Sequence, residues 1–465
     1  MNTSLDIVIT QLKKRFASTV VLVGDEVRQR PVSKQIPEGC QAAALLRPAS
    51  TDELADMLRI CSQHRVPIVP RAGMTGLVGG TVTGPDEIAL SLERMSGVIS
   101  IDRDAQTMVV LAGTPLQIVQ EAAAEHGLQF PLDLGARGSA TIGGMLATNA
   151  GGNKVLRYGM IRDMVLGLEV VLSDGSVMDA MSHLMKNNTG LDVKQLYIGT
   201  EGTLGIITRA VLKLYPCAPL RNVAMCAFGS FDAMIATLNH MRSLAGPALT
   251  SYEVMWRSYL DLVTEPGRLR SPLGADYPLY ALIECEYPGP ASDAAELNHV
   301  ELFTQQLQAA MEAGWMEDAV IAQSESESSA LWHIRDEVHY LRELNPVFIF
   351  DVSLPIAHMP AYLSALQQSI DDRWPDNRFI CYGHIGDGNL HIAISCGSAT
   401  DVEAVSTLVY APLQAFGGSI SAEHGIGLYK KPYLCFSRNA VEQDVMRRVK
   451  AALDPHNILN PGKIL

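Results

Sequence analysis

The chain is 465 residues long, 48% apolar and 18% charged, with a formal net charge of −14. The length exceeds one ordinary core, so two large units or one unit with a lid are expected, and the apolar content excludes a disordered or fibrous chain. The acidic balance, with Lys and Arg scattered in ones and twos, excludes nucleic acid and an anionic membrane surface as main partners.

The N-terminal stretch MNTSLDIVITQLKKRFASTVVLVGDE has polar breaks and a basic cluster on the wrong side for a secretory signal. Lys13, Lys14 and Arg15 read as a solvated helix face. No run approaches the roughly 18 apolar residues of a membrane span. A cytoplasmic protein is expected, with peripheral docking at a membrane as the alternative. The eight dispersed cysteines form no C-x-x-C pair and read as reduced thiols, mostly inside apolar runs.

From about residue 40, short strands alternate with helices. AAALLRPAS is a strand, TDELADMLRICSQHR a helix with Thr51 as its N-cap, and VPIVPRAG a second strand. LEVVLSDGSVMDA (168 to 180) predicts a hairpin with a two-residue loop at Asp174 and Gly175. After Leu214-Tyr215-Pro216 longer helical segments set in, which places a boundary near 217. The expected class is α+β: residues 1–216 as one domain, 217–410 as a cap with a central antiparallel sheet, and 411–465 returning to the first domain.

Three glycine-rich loops punctuate the first half: RAGMTGLVGGT (71 to 81), PLDLGARGSATIGGMLATNAGG (131 to 152) and IGTEGTLGIIT (198 to 208). Glycine admits positive φ and close approach of backbone N–H groups to an anion. No helix opens after the first loop and no G-x-x-x-x-G-K-[ST] occurs, so neither a nicotinamide-binding Rossmann fold nor a P-loop fits. The long second loop, with Ser139, Thr141, Thr148 and Asn149 among its glycines, suits a large phosphate-bearing cofactor.

In this order and wording the loops resemble the FAD-binding domain of vanillyl-alcohol oxidase type flavoproteins. The resemblance implies that FAD meets Ala72, Gly73, Met74, Thr75, Gly76 and Leu77 in the first loop and Gly138, Ser139, Gly143, Gly144, Thr148 and Gly151 in the second. It extends to Glu201 and Ile206 in the third and to Asn460 in the tail. Many relatives carry glycine where this chain has Ala72, and those with covalent flavin often carry a histidine in the first loop. Residues 71 to 81 have none, so non-covalent FAD is expected.

HIGDGNLH (384 to 391) is the second signature. If Asp387-Gly388 is a two-residue type I′ turn, His384 and His391 stand directly opposite, their Cβ atoms about 4.5 to 5.5 Å apart. The pair is then either satisfied by hydrogen bonds or shares a metal. SAEHGIG (421 to 427) favours the metal, with Glu423 as third ligand and His424 as general base.

Together, H-x-G-D-G-N-x-H and E-H-G-I-G resemble the D-2-hydroxy-acid dehydrogenase branch of these flavoenzymes. That resemblance implies a divalent ion, zinc or manganese, on His384, His391 and Glu423, with His424 as catalytic base. The product is a 2-oxo acid, with hydride to flavin N5 and electrons passed to an electron-transfer flavoprotein, cytochrome or quinone.

Arg335 falls where the branch grips the substrate carboxylate; an exposed ion-pair position beside His339 is the alternative. Relatives specific for 2-hydroxyglutarate hold the distal carboxylate with a threonine, a lysine and an asparagine, where this chain has His339, Ile349 and Ala393. A monocarboxylic D-2-hydroxy acid such as D-lactate, or one with a larger apolar side chain, is therefore expected. The alternatives are a D-2-hydroxyglutarate dehydrogenase, a glycolate oxidase-like flavin subunit, an inactive flavoenzyme scaffold and, more distantly, a non-haem metal oxygenase. A homodimer is compatible with all of them.

Overall fold

The structure, a computed structural model, describes residues 3–33, 39–218, 220–274, 276–287 and 293–465. The chain divides into two compact units. The first comprises residues 1–152, 159–216 and 423–465, and the second 153–158 and 217–422. The first return of the chain to unit one thus begins after residue 158, and the second at Glu423. Residues 411–422 belong with the second unit rather than with the tail. Residues 153–158 join that unit through Ser251 Oγ, which donates to Asn153 O at 2.6 Å, and Arg157 Nη1, which donates to Glu286 O at 2.9 Å.

In the first unit, helix Thr3–Arg15 ends on exposed Lys13, Lys14 and Arg15, where cations complement the negative end of the helix dipole. Strands Val21–Val23, Ala44–Leu46, Ile88–Ser91 and Ile68–Arg71 form a four-stranded sheet in that order, its last three strands parallel. Between two of them runs helix Thr51–Gln63, burying Leu54, Ala55, Met57, Leu58 and Cys61. Its N-cap is Ser50, whose hydroxyl accepts from Glu53 N at 3.2 Å; Thr51 instead donates to Glu169 at 2.6 Å. The expected cap was one residue late because either hydroxyl can serve, and the buried acid claimed Thr51.

A second sheet, antiparallel and five-stranded, runs in the order Val98–Asp102, Thr107–Leu111, Ile206–Lys213, Val165–Val171, Val177–Ala180. The predicted hairpin is present, but Val171 pairs with Val177 and the loop holds Ser173, Asp174 and Gly175 after a Leu172 N–H bond to Ser176 O.

The second unit is built on a seven-stranded antiparallel sheet: Asp318–Ile321, Leu220–Phe228, Leu279–Tyr287, Leu249–Trp256, Arg378–Gly383, Asn389–Ser395 and Phe348–Ser353, in spatial order. Met225, Met255, Tyr280 and Leu282 on the sheet bury with Tyr259 and Leu260 of helix Arg257–Val263 and with Leu331 and Ile334 of helix Glu325–Asp336. The helix through Arg335 stops at Asp336; a separate 3-10 turn, His339–Glu343, precedes strand Phe348–Ser353. No helix among the described residues is long and apolar enough to cross a membrane. All eight cysteines are free, six of them buried, with Cys217 half-buried and Cys435 exposed.

Candidate active site

In the first unit the three glycine loops and the C-terminal tail are tied together by their backbones. Gly199 N–H donates to Leu146 O at 2.9 Å and Glu201 N–H to Ala147 O at 2.7 Å, so the third loop closes the last turn of helix Ile142–Thr148 in the second. Leu428 N–H and Tyr429 N–H both reach Val78 O, at 2.9 and 3.2 Å, which lays the segment after E-H-G-I-G along the first loop. Asn460 Nδ2 donates to Glu201 O at 2.7 Å and to Gly80 O at 3.3 Å.

Met74, Asn149, Glu201 and Asn460, one from each of these four segments, hold positive φ between 44° and 58°. L-residues adopt that conformation at a cost and mainly where surrounding structure imposes it, often at ligand sites. A Cβ on Gly73 would lie 1.9 Å from Ser139 O, and one on Gly144 2.8 Å from the Cβ of Ala72. These two glycines therefore serve loop-on-loop packing, a reason distinct from the anion approach that sequence suggests.

Among the described residues, Thr141 Oγ1 and Asn460 Oδ1 are buried polar atoms of these segments with no hydrogen-bond partner. Buried polar atoms are rarely left unmatched, so both fit a bound polar cofactor such as FAD. Thr148 fits less well, since its hydroxyl donates back to Gly144 O and Met145 O within its own helix, at 3.2 and 3.3 Å. Ile206 is buried at the head of a central strand, so only its backbone could face a ligand.

Glu201 does something the sequence does not announce. Its carboxylate accepts from Ile426 N–H at 2.7 Å and Gly427 N–H at 2.9 Å, pinning the E-H-G-I-G segment. Burial pushes its carboxyl above the usual range, opposed by those two N–H groups and by Lys430.

In the second unit, strand Arg378–Gly383 pairs with Asn389–Ser395 so that Tyr382, not His384, stands opposite His391. The turn is a 3-10 segment, Ile385–Asp387, closed by left-handed Gly388. A type I′ turn needs positive φ at both central residues; Gly388 has it (φ 86°), but Asp387 is not among the positive-φ residues. His384 O receives Asn389 N–H at 3.2 Å, so His391 sits two residues farther along, diagonal to His384. Diagonal neighbours on one face remain within reach, and the rings meet edge to face with centroids 5.2 Å apart.

Around this pair the polar groups are ordered. His384 Nδ1 lies 2.8 Å from Glu253 Oε1, and His391 faces Asp351 across the neighbouring strand, Nδ1 to Oδ1 3.9 Å. Asp351 also accepts from Asn389 Nδ2 at 2.9 Å. Burial pushes the Glu253 carboxyl up, but His384 and Arg335 outweigh it and hold it below the usual carboxylate range.

Arg335 is buried rather than on an exposed helix face, which removes the surface-pair alternative. Its Nε donates to Glu253 Oε2 at 2.9 Å and its guanidinium lies over the Tyr382 ring at 5.2 Å. His339 does not share that environment: its side chain is 80% exposed, with Nδ1 3.2 Å from Glu337. The helix break at Asp336 separates it from Arg335. Ile349 and Ala393 are directly paired across two strands, Ile349 44% exposed at the sheet edge and Ala393 fully buried in the apolar cluster.

Glu423 and His424 follow Ala422, where the second unit ends. The preceding residues are held to the strand that carries Asp351: Ser419 N–H donates to Ser353 O at 2.6 Å, and Ser421 Oγ reaches Asp351 Oδ2 at 3.5 Å. Sequence reading missed Glu253 and Asp351. Each is the one charged residue in its stretch, TSYEVMW and FIFDVS, and that interruption is the available signal.

Residues 42–180 match the FAD binding domain family and residues 218–464 the C-terminal domain of FAD linked oxidases. The chain is 40% identical over 428 residues to D-2-hydroxyglutarate dehydrogenase of Xanthomonas citri pv. viticola, covering 90% of this chain and 89% of the relative. It is 38% identical over 425 residues to the mitochondrial D-2-hydroxyglutarate dehydrogenase of Bos taurus, covering 90% and 76%. Among solved structures, p-cresol methylhydroxylase superposes with a TM-score of 0.77 at 14% identity, over 100% of this chain and 97% of that one. An alkyldihydroxyacetonephosphate synthase does so with a TM-score of 0.76 at 18% identity, over 98% and 84%. The chain thus shares its overall fold with these two structures. The chain belongs to the FAD-linked oxidase family, in its D-2-hydroxy-acid dehydrogenase branch.

Proposed function

We propose that the protein oxidises a monocarboxylic D-2-hydroxy acid to its 2-oxo acid, using non-covalent FAD and one divalent ion, zinc or manganese. The observation that carries the metal is the His384–His391 pair, with Nδ1 of His384 committed to a buried carboxylate and E-H-G-I-G beginning two residues after Ser421. His384, His391 and Glu423 would hold the ion. Bound there, it would supply positive charge that lowers the pKa of a substrate hydroxyl. FAD, when bound, supplies the two-electron acceptor.

The residues' own work is positional and acid–base. His424 takes the hydroxyl proton on an imidazole nitrogen while the α-hydrogen departs with its electron pair, leaving C=O in place of C–OH. Arg335 meets the α-carboxylate. Glu253 occupies its Nε and Nη2 edge, so Nη1, which lies 3.9 Å from Asp336 Oδ1, is the nitrogen offered to substrate. Electrons leave to a separate acceptor, an electron-transfer flavoprotein, a cytochrome or a quinone.

The monocarboxylic preference rests on Ile349 and Ala393, which offer no donor for a distal carboxylate, and on His339 lying exposed against Glu337. The names of the relatives favour a second reading, D-2-hydroxyglutarate. Dye reduction by D- and L-2-hydroxy acids, before and after chelation, tests both. The expected result is activity on D-lactate or D-2-hydroxybutyrate, none on L-isomers, loss on chelation and recovery with zinc or manganese. Much faster turnover of D-2-hydroxyglutarate establishes the second reading, and indifference to chelators removes the metal.

A further inference from the structure

Glu253 is 2% exposed in the middle of strand Leu249–Trp256, and the oxidation described above leaves it without a chemical step. Its two oxygens are divided between two functional groups. Oε1 faces His384 Nδ1 at 2.8 Å, while Oε2 accepts from Arg335 Nε at 2.9 Å and lies 2.7 Å from Nη2. Arg335 Nη2 also comes within 3.4 Å of His384 Nε2.

A carboxylate only accepts hydrogen bonds, so Nδ1 of His384 must carry the ring proton, which leaves the lone pair on Nε2. That tautomer is the one a metal on Nε2 requires, and the same acid fixes the plane of the ring. The second oxygen orients the guanidinium of Arg335. Histidine and arginine come from different elements, the turn after strand Arg378–Gly383 and helix Glu325–Asp336, and meet through one side chain on a third.

We propose that Glu253 is a positioning residue that sets His384 as an Nε2 metal ligand and presents Arg335 to the substrate carboxylate, so that metal affinity and substrate affinity are coupled through it. This rests on the metal reading given above.

The test is metal affinity of the FAD-loaded protein, measured by competition with a chromophoric zinc chelator for wild type and Glu253→Gln, alongside KM and kcat at saturating zinc. Glutamine keeps the shape but its NH₂ must face either Arg335 or His384, where it cannot accept. The expected result is a 10- to 100-fold weaker zinc affinity at unchanged FAD content, with KM for the 2-hydroxy acid still raised when zinc saturates. Glu253→Asp, which keeps the charge but shortens the reach, gives a smaller loss and serves if the glutamine variant does not fold.

Zinc affinity within threefold of wild type in the folded variants overturns the proposal while leaving the metal reading intact. Wild type that binds no zinc or manganese overturns both. Weaker zinc affinity with an unchanged KM overturns the coupling to Arg335.

Discussion

Glu201 and Ile426, 225 positions apart, are joined by a 2.7 Å hydrogen bond from the Ile426 backbone to the Glu201 carboxylate, with Gly427 donating to its other oxygen at 2.9 Å. A Cβ on Gly425 would come within 2.7 Å of the same carboxylate, so the segment can approach this closely only with glycine there. Hydrogen bonds to a charged group contribute about 1.5–3 kcal/mol each. Replacing Glu201 by alanine strands two backbone donors, for a cost of roughly 3 kcal/mol or more and a fall in melting temperature of roughly 6–12 °C for a unit of this size. Glutamine accepts only one of the two bonds and should fall between. Thermal melts of the FAD-bound variants check this; a change below about 1 °C for alanine would mean that water replaces the carboxylate.

The Asp387-Gly388 turn makes a second prediction. Gly388 sits at φ 86°, and an added Cβ would lie 3.0 Å from Leu354 O. Gly388→Ala should therefore cost about 1–2 kcal/mol through the strained backbone alone. Because the turn sets the offset between His384 and His391, it should also weaken zinc binding. Gly386→Ala, whose Cβ would lie nearest to Leu156 side-chain atoms at 2.7 to 3.1 Å, should be milder if that leucine can shift. Chelator competition with both variants separates the two effects.

The two Asp-Gly dipeptides show what was legible in the sequence. Each predicts a two-residue loop, and both glycines do turn left-handed, Gly175 at 79° and Gly388 at 86°. In each case the preceding aspartate keeps negative φ, so the loop is longer and the register shifts. The dipeptide marks where the chain reverses but not how many residues reverse it. His384 and His391 still meet because a diagonal pair on one face reaches as an opposite pair does. Glu253 shows in the sequence only as an acid inside a strand: nothing local in TSYEVMW says that its partners lie 82 and 131 positions away.

Glu169 gives the acid limb of stability. Burial pushes its carboxyl up, but Arg209, Thr208 and Thr51 outweigh burial and hold it below the usual range. A lowered folded pKa means that the stability it contributes is present above the unfolded value, about 4.3, and is lost as pH falls through the folded value. Melting temperature should thus drop on acidification below about pH 4.3, and Glu169→Gln, less stable at pH 7, should show a shallower drop. Parallel limbs for the two proteins would assign the acid sensitivity to other carboxylates.

Glu423 and His424 are adjacent but are assigned different work. Loss of a general base lowers turnover by about 10² to 10⁴. His424→Asn should do so while retaining zinc and FAD. Glu423→Gln should instead lose zinc, with activity partly restored by excess metal. Equal zinc loss in both variants would make His424 a ligand.

Ile349 and Ala393 pair across the sheet but differ in surroundings. Ala393 is fully buried in the largely apolar cluster with Tyr382 and Ile380, so an amide left unpaired there would cost about 1–3 kcal/mol. Ile349 is half exposed on the edge strand, and a lysine can be placed there with its ammonium in water. Ile349→Lys should fold normally and raise kcat/KM for D-2-hydroxyglutarate relative to D-lactate by roughly tenfold, the worth of one charge-assisted hydrogen bond. Ala393→Asn should lower the melting temperature without a comparable gain unless Ile349→Lys is also present. An unchanged substrate ratio in Ile349→Lys would show that the distal end of the substrate lies elsewhere in the cap.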